Sequence, residues 1–309
     1  MNYTLHQLRI FLEVVEKGSI TAAAEALHLT QPAVSVQLKN LQHQFQLPLY
    51  EVVQRRLHIT DFGQEIAALA REVLAMTEQI EQKQALYLGL VEGKLRLSAV
   101  HTGQYLLPFL IRDFNRYYPQ VQIELWVKDK RQVVEDLEQN RIDFALMTLP
   151  PTSVPLNTQA FMPNYLVPVM GRQSRWQQLR FEEVMQQAPA LLREPGSGTR
   201  QITEDYLKQK GIQPHRFSEF NSSDAIKQAI IADMGWAILP LVSLRNELLL
   251  EQVQLIDSPD FPLQTQWQFV WHKEKRLSPV AQAFLQYTES SKKNFHNTYF
   301  AWMDRLLKV

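Results

Sequence analysis

The stretch between Leu27 and Phe45, LHLTQPAVSVQLKNLQHQF, constrains the fold of this chain most. Thr30 can cap a helix, and Pro32 falls in the first turn, where its missing N–H costs nothing. Apolar residues then recur every three or four positions, which predicts one buried stripe, made of Val34, Leu38, Leu41 and Phe45. At about 100° per residue, the opposite face carries Pro32, Ser35, Val36, Lys39 and His43. Ser and Lys bond phosphates or base edges, and a bare Val can meet a thymine methyl, so this face suits a DNA major groove.

The flanking residues complete a three-helix motif with a wing. An apolar stripe predicts a first helix that ends at Gly18-Ser19, and its members are Leu5, Leu8, Leu12 and Val15. A short alanine-rich helix over 21–27 follows, and a strand from Leu47, a basic turn and a strand up to Thr60 are predicted after Phe45. Arg55 and Arg56 lie at that turn, where they can reach the DNA backbone or minor groove. An ordinary three-helix core with a hairpin is the alternative interpretation.

This region resembles the LysR-type transcriptional regulators over about sixty residues. The matching positions include Leu8-Arg9-Ile10-Phe11, Gly18-Ser19, Ala22-Ala23-Ala24, Leu29 to Ser35, Leu49-Tyr50-Glu51 and Leu57 to Gly63. The resemblance implies a winged helix-turn-helix that binds double-stranded DNA, with Gln31 a candidate to read adenine. The predicted DNA contacts are Thr30, Gln31, Pro32, Ser35, Val36, Lys39, Arg55 and Arg56.

Composition excludes several kinds of chemistry. The 309 residues contain no Cys, which excludes disulfides, thiolate nucleophiles and Cys-ligated metal sites. The eight His residues show no metal-ligand spacing, and we find no nucleophile–base pattern, Walker loop or GxGxxG motif. We therefore predict no metal, no cofactor and no enzymatic activity. The N-terminus has no signal-peptide pattern and no apolar run approaches about 18 residues, so we expect a soluble, cytoplasmic protein that does not bind membranes.

The residues from Asp61 to about Leu88 predict one long connecting helix, because they contain no proline and a single glycine. Apolar positions alternate at spacings of 4 and 3, which is typical of a helix seam, and the stripe is Phe62, Ile66, Leu69, Val73, Met76, Ile80, Lys83 and Tyr87. We expect this helix to pair two chains and to place two recognition helices about one DNA turn apart. A helix packed on its own domain is the alternative.

From Lys94 onwards, strands alternate with helices, which predicts parallel βαβ units and an α/β fold class. The resemblance to LysR-type regulators covers this region too, and it implies two lobes like those of periplasmic solute-binding proteins. The predicted domains are a winged helix-turn-helix over 1–60, a linker helix over 61–90 and an effector-binding domain over 91–309. Lobe I is expected at about 91–162 plus 267–309 and lobe II at about 163–266, with crossovers near 161–164 and 265–268.

Three predicted turns each end a strand and begin a helix: Val100 to Gly103, Arg193 to Arg200 and Asn221 to Asp224. Helix N-termini present free N–H groups and a positive dipole end, and an arginine can grip an anion bidentately. Ligands of open α/β sheets lie beyond the C-terminal strand ends, so the turns should converge on one anion site. The predicted effector contacts are His101, Thr102, Glu194, Ser197, Gly198, Thr199, Arg200, Asn221 and Ser222. Ordinary N-capping is the alternative. His101 on the rim would make binding sensitive to pH near about 6.5.

The same segments resemble the regulators of Calvin-cycle (RuBisCO) operons, a branch of the LysR-type family. The matching pieces include Leu191 to Arg200, Ile226-Lys227-Gln228-Ala229 and Arg276-Leu277-Ser278-Pro279. This branch implies a phosphorylated effector or a nicotinamide dinucleotide phosphate, a homodimer or homotetramer, and RNA polymerase as a partner. Leu149 and Gln104 stand where the branch usually has a cation, which leaves a carboxylate or another small anionic metabolite open.

The end of the chain predicts one more amphipathic helix, which either covers its own lobe or packs between subunits. Its apolar positions are Phe295, Tyr299, Trp302 and Leu306. Taken together, the sequence predicts a DNA-binding regulator controlled by a small anion. A solute-binding protein and an enzyme on an α/β scaffold are the competing functions.

Overall fold

We describe residues 2–53, 56–87, 91–214 and 216–308 of the chain from a computed structural model. The chain divides into two compact units: Met1–Gly93 with Gln139–Arg141, and Lys94–Glu138 with Ile142–Val309. Within the described ranges, no helix has both the length and the apolar character that crossing a membrane requires. The same ranges contain no group of three or more His, Asp or Glu side chains placed to hold a metal ion.

Three capped helices open the first unit: α1 (Leu5–Lys17), α2 (Ile20–Ala26) and α3 (Gln31–Gln42). The Thr4 hydroxyl accepts the N–H of Gln7, and the Gln7 side chain accepts the N–H of Thr4, which closes a capping box. Ser19 caps α2 and Thr30 caps α3, with Pro32 in the first turn of α3. The predicted start of the recognition helix is therefore confirmed.

The core of this unit lies between the three helices. Val34, Leu38 and Leu41 are fully buried, as their spacing predicts. The stripe predicted for α1 is partly wrong, because α1 buries Leu8 together with Ile10, Phe11 and Val14. Leu5 stays 43% exposed. Two apolar stripes overlap on α1, and only packing against α2 and α3 decides which one turns inward.

The wing is a two-stranded antiparallel sheet of β1 (Tyr50–Val53) and β2 (Arg56–Ile59). β1 begins three residues later than the predicted start at Leu47. The side-chain oxygen of Gln42 accepts the N–H groups of both Leu49 and Tyr50 at 3.2 Å, which ties the entry of the wing to the end of α3. The two predicted strands are confirmed, while the residues between them lie outside the described ranges.

The long helix predicted after the wing is α4 (Asp61–Tyr87), which spans 27 residues. Its first part packs on its own unit, where Ala67 and Ala70 are buried and Phe62 and Ile66 are partly buried. The stripe then leaves that core and becomes exposed, by 56%, 41%, 50% and 71% at Leu69, Val73, Met76 and Ile80. Packing on its own domain thus fits the start of the stripe, and a role in pairing two chains fits the exposed part from Leu69 to Ile80. The side chains of Lys83 and Tyr87 lie outside the described residues.

The second unit is built on one nine-stranded sheet. Its strands are β3 (Gly93–Val100), β4 (Val121–Lys128), β5 (Phe144–Met147), β6 (Leu156–Gly171), β7 (Ala190–Arg193), β8 (Phe217–Phe220), β9 (Trp236–Pro240), β10 (Val253–Leu255) and β11 (Leu263–His272). The order is β4-β3-β5-β11-β6-β9-β7-β8, and β10 pairs with β6. We call the half with β3, β4 and β5 the first lobe, and the half with β7, β8 and β9 the second lobe.

Two long strands, β6 and β11, contribute to both lobes. They pair with each other from Leu263↔Leu166 to His272↔Leu156, with a register shift between Trp267 and Gln268. β11 also pairs with β5, and β6 pairs with β9, both in antiparallel fashion. Parallel pairing holds for β3 with β5 and for β7 with β8 and β9. The expectation of parallel units throughout is therefore wrong for β6 and β11, because each crosses directly from one lobe to the other.

Helices and 3-10 turns cover this sheet. They are a 3-10 helix (His101–Tyr105), α5 (Leu107–Tyr117), α6 (Lys130–Glu138), α7 (Phe181–Gln187), α8 (Gly198–Gln209), α9 (Ser223–Ile231), a 3-10 helix (Leu241–Leu244), α10 (Arg245–Leu249), α11 (Pro279–Tyr299) and α12 (Ala301–Leu307). The helix predicted from Gln104 starts later, because the first 3-10 helix precedes it and Pro108 lies in the first turn of α5. In the core of the second lobe, the rings of Phe181 and Trp236 meet edge to face.

The C-terminal helices α11 and α12 pack on their own unit. Phe295, Phe300 and Met303 are buried at 2%, 4% and 1% exposure. The Phe295 ring lies 5.2 Å from that of Phe161 in β6. Of the two alternatives for the tail, cover of its own lobe therefore accounts for most of its apolar face.

Candidate functional site

The outer face of α3 carries the residues predicted to meet DNA. Pro32 and Lys39 are exposed, Val36 is 55% exposed, and Ser35 is partly buried. The Gln31 amide donates a 3.1 Å hydrogen bond to the Ser35 hydroxyl along the same face. These side chains form one small polar surface around an apolar spot. Thr30 is exposed at its edge, with its side-chain oxygen engaged in capping α3.

The arginines predicted for the wing are described only in part. Arg55 lies outside the described residues. Arg56 is the first residue of β2, and its backbone pairs with Val53. The assignment of wing contacts to Arg55 and Arg56 therefore stays a prediction.

A cleft of about 400 Å³, counted with its solvent-open part, lies where β3, β5 and β7 end. It is lined by Val100, His101, Thr102, Lys130, Met147, Thr148, Leu149, Arg193, Glu194, Ser197, Gly198 and Thr199. The cleft therefore joins two of the three predicted turns, and both lobes supply its walls.

The N-terminus of α8 forms one wall of the cleft. Ser197 is the N-cap residue, yet its side chain makes no capping hydrogen bond. The first N–H groups of a helix have no partner within it, and the dipole places partial positive charge there. Gly198 lies so close to the opposite wall that a Cβ at this position would be 3.4 Å from the Thr148 hydroxyl. Gly196 has a φ of 88°, a backbone conformation that favours glycine. This wall can therefore offer backbone donors to an anion.

Arg193 is the buried cation of the cleft, at 4% exposure. Its Nε and Nη2 donate to the two carboxylate oxygens of Glu194 at 2.7 and 2.8 Å, and its Nη1 donates to the Ser223 hydroxyl at 3.0 Å. Arg193 was not among the predicted effector contacts. Its position offered a signal, because the last residue of a parallel strand points towards the ligand edge of the sheet.

Arg200, the predicted anion-gripping residue, does not line the cleft. Its Nε donates to Glu204 at 2.7 Å, and its Nη1 donates to Glu219 at 2.6 Å and to the Arg193 carbonyl at 2.9 Å. The bonds to Glu204 and Glu219 raise the pKa of Arg200, most of all the one to Glu204. The Arg200 guanidinium thus holds the end of the strand that carries Arg193, and its Nε and Nη1 are occupied by these partners.

The third predicted turn also lies outside the cleft lining. Ser222 caps α9 by accepting the N–H of Ala225 at 3.1 Å, so ordinary capping describes it. The Asn221 carbonyl accepts a 3.5 Å hydrogen bond from Arg193. Both residues support the cleft through Arg193 and its neighbour Ser223.

Two further basic side chains line the cleft, His101 and Lys130. Burial lowers the pKa of His101, and the charge of Arg193 lowers it further. Any response of His101 to pH therefore falls below the predicted value of about 6.5. Burial also lowers the pKa of Lys130, the first residue of α6. Lys130 was not among the predicted effector contacts, although its place shortly after β4 and at the start of α6 was an available signal.

Two protein families match the chain, one in each of its two parts. Residues 5–64 match the bacterial regulatory helix-turn-helix protein, lysR family, and residues 88–292 match the LysR substrate binding domain. The chain belongs to the LysR family of transcriptional regulators. The regulator is thus a DNA-binding protein whose second domain takes a small-molecule effector, and not an enzyme. The predicted fold class and function are confirmed.

Two of the most similar relatives are regulators from one part of this family. The regulator is 35% identical to the HTH-type transcriptional activator CmpR of Synechocystis sp., over 93% of this chain and 95% of that protein. It is 32% identical to the RuBisCO operon transcriptional regulator of Acidithiobacillus ferrooxidans, over 92% and 93% of the two chains. Among solved structures, the CcmR regulatory domain of Synechocystis in complex with 2-PG has 29% identity and a TM-score of 0.61, covering 66% of this chain and 99% of that one.

We predict that Arg200→Ala destabilises the regulator by about 1–3 kcal/mol, because a hydrogen bond from a charged group to the Arg193 carbonyl is lost. The two glutamates are about half exposed, so their ion pairs add little. Urea denaturation monitored by tryptophan fluorescence measures the change. Arg131→Ala is the matched control, because Arg131 is 83% exposed and pairs with a glutamate four residues on in α6. Equal midpoints for the two variants would contradict the bracing role of Arg200.

Proposed function

We propose that this regulator controls carbon-fixation genes in response to a small phosphorylated carboxylate such as 2-phosphoglycolate. The observation that carries the proposal is the cleft at the N-terminus of α8, where helix N–H groups, hydroxyls and basic side chains face one space. Its relatives include regulators named for RuBisCO operons, and the CcmR regulatory domain was solved with 2-PG. We propose a cytoplasmic location as well, because the DNA it acts on is there.

In this proposal the cleft binds the anion with two kinds of group, neutral hydrogen-bond donors and a charged side chain. The first-turn N–H groups of α8 and the hydroxyls of Ser197 and Thr199 bind phosphate oxygens, as helix N-termini commonly do. Thr102 and Thr148 face them from the first lobe. Lys130 supplies the charge that is not already paired within the cleft, since Arg193 is held bidentately by Glu194.

We predict that Lys130→Gln weakens binding of 2-phosphoglycolate by about 1.5–3 kcal/mol, because one charge-assisted hydrogen bond is lost. Isothermal titration calorimetry on the full-length protein measures it. Arg131→Gln is the matched control, because it removes the same charge one residue away, in the outer depression next to the cleft. Equal affinities of the two variants would place the anion away from Lys130. No binding to the wild-type protein would reject 2-phosphoglycolate as the effector.

On DNA, we propose that α3 enters the major groove with Gln31, Pro32, Ser35, Val36 and Lys39 towards the bases and phosphates. The support is the exposed face of α3 and the match to the helix-turn-helix family. An amide side chain can bond the N6 and N7 edge of adenine. The Gln31 amide would exchange its bond to Ser35 for such a base edge.

We therefore expect Gln31→Ala to cost about 1–3 kcal/mol of operator affinity and to relax selectivity at one base pair. Gel-shift titration against the operator and against point variants of it is the measurement. Gln64→Ala, an exposed glutamine on α4, serves as the control. Unchanged affinity and selectivity of Gln31→Ala would move the reading face elsewhere on α3.

We propose that two copies pair along the exposed stripe of α4 and associate further into a tetramer, and that the assembly contacts RNA polymerase. The support for pairing is the run of exposed apolar residues from Leu69 to Ile80, which a lone helix would leave in water. The support for a polymerase contact is the description of the CmpR relative as an activator.

We predict that the double variant Leu69→Glu with Val73→Glu abolishes dimers, because it puts like charges into the seam. Analytical ultracentrifugation reports the mass, and circular dichroism checks that the exposed positions tolerate the changes. Gln64→Glu adds charge to the same helix away from the stripe and should leave the mass unchanged. A double variant that sediments like the wild type would exclude this stripe from the interface.

A further inference from the structure

A cluster of polar side chains joins the two lobes beside the effector cleft. Gln104 and Tyr105 come from the 3-10 helix of the first lobe, and Asp224 and Lys227 come from α9 of the second. Glu247 of α10 completes the cluster on the second-lobe side. We call these five residues the lobe latch. None of them lines the cleft, so the function proposed above does not use them.

Asp224 is the centre of the lobe latch. Its carboxylate accepts hydrogen bonds from the Tyr105 hydroxyl at 2.7 Å and the Gln104 amide at 3.2 Å, both across the lobe boundary. Within its own lobe it pairs with Lys227 at 2.9 Å. Lys227 also pairs with Glu247 at 2.8 Å and lies 5.2 Å from the centre of the Tyr105 ring. Three contacts therefore cross from the first lobe to the second, and each involves Asp224 or Tyr105.

The hydrogen bonds to the ionised Asp224 are charge-assisted. Lys227 and Glu247 are largely buried, whereas the Asp224 side chain is 57% exposed. Burial alone lowers the pKa of Lys227, but the hydrogen bonds to Glu247 and Asp224 outweigh it, so the pKa is raised. Burial and the bond to Asp224 raise the pKa of Tyr105 to about 12, so its hydroxyl keeps the donated proton. The latch therefore stays assembled across the neutral pH range.

Both ends of the latch connect directly to cleft residues. Tyr105 ends the 3-10 helix that carries His101 and Thr102 in the cleft wall. Asp224 follows Ser223, whose hydroxyl accepts a hydrogen bond from Arg193 in the opposite wall. Because each connection spans only a few residues of regular structure, a change in the latch shifts the spacing of the two walls.

We infer that Asp224 and Tyr105 are positioning residues that hold the two lobes at the spacing in which the cleft binds its effector. The inference rests on the proposed function in one respect, that the cleft is the effector site. If only part of the population has the binding spacing, the apparent dissociation constant rises in inverse proportion to that part. Loss of the latch should therefore weaken effector binding without removing any group that touches the effector.

The second lobe contains a matched control with the same chemistry. The Tyr206 hydroxyl donates to Asp260 at 2.9 Å, Lys210 pairs with Asp260 at 2.8 Å, and Lys210 lies 5.9 Å from the centre of the Tyr206 ring. All three residues belong to the second lobe. Tyr206→Phe and Tyr105→Phe thus remove the same hydrogen bond, but only Tyr105→Phe removes it across the lobe boundary.

The spacing of the lobes is measured first, without any effector. The chain has no cysteine, so Gln132→Cys on α6 and Lys208→Cys on α8 give one exposed label site in each lobe. Pulsed electron paramagnetic resonance on full-length protein, diluted with unlabelled chains, gives the distance distribution between spin labels. We expect Tyr105→Phe and Asp224→Ala to lengthen and broaden it, and Tyr206→Phe to leave it unchanged. An unchanged distribution in both latch variants would overturn the inference.

Calorimetry with 2-phosphoglycolate is the second measurement. We expect Tyr105→Phe to weaken binding about threefold to tenfold, the range of an ordinary net hydrogen bond, and Tyr206→Phe to match the wild type. Weaker binding at an unchanged label distance would also overturn the inference, because Tyr105 would then act on the ligand itself. If the wild type binds no 2-phosphoglycolate, the proposed effector is wrong, while the label distances still decide the inference.

Discussion

The antiparallel pairing of β6 with β11 is the interaction on which the second unit depends. β11 pairs with β5 of the first lobe, β6 pairs with β9 of the second, and the two strands pair with each other, so one ladder of backbone hydrogen bonds joins the two half-sheets. Two-stranded ribbons twist more than wide sheets do, and the register shift at Trp267 and Gln268 bends this one further. Asn164 and Thr265 add a 3.0 Å side-chain bond between the two strands. A ribbon of this kind keeps the lobes together and still allows their spacing to change.

The cleft above this ribbon balances two opposing electrostatic demands. An arginine as buried as Arg193 needs a partner while the cleft is empty, because an unpaired buried charge costs several kcal/mol. Glu194 supplies that partner, but its carboxylate also repels an incoming anion. In the proposed function, the N-terminus of α8 and Lys130 therefore carry the net attraction for the anion. The burial that lowers the pKa of Lys130 also strengthens its attraction to an anion once the site is dry.

In the first unit, small side chains decide how far the DNA-binding domain extends along α4. Ala67 and Ala70 allow α4 to pack closely on the three-helix core, together with the larger Phe62 and Ile66. Leu69 already faces away from this core, and beyond Ala70 the apolar residues Val73, Met76 and Ile80 are exposed as well. One continuous stripe in the sequence therefore serves two contacts, a covered one within the domain and an uncovered one available to a second chain.

Local chemistry in the sequence was enough to determine the start of α3 at Thr30 and Pro32, the length of α4, and the turn between β7 and α8, since caps, prolines and periodic apolar residues act within a few positions. Only the tertiary structure decided which arginine belongs to the cleft. Arg193 and Arg200 lie on the same turn, and the sequence favoured Arg200, but Glu204 and Glu219 engage Arg200 while the strand end buries Arg193. The same holds for Lys130 and for the contact of Tyr105 with Asp224, 119 positions apart. Such contacts depend on how the strands are ordered in the sheet, and side-chain spacing along the chain carries no information about that order.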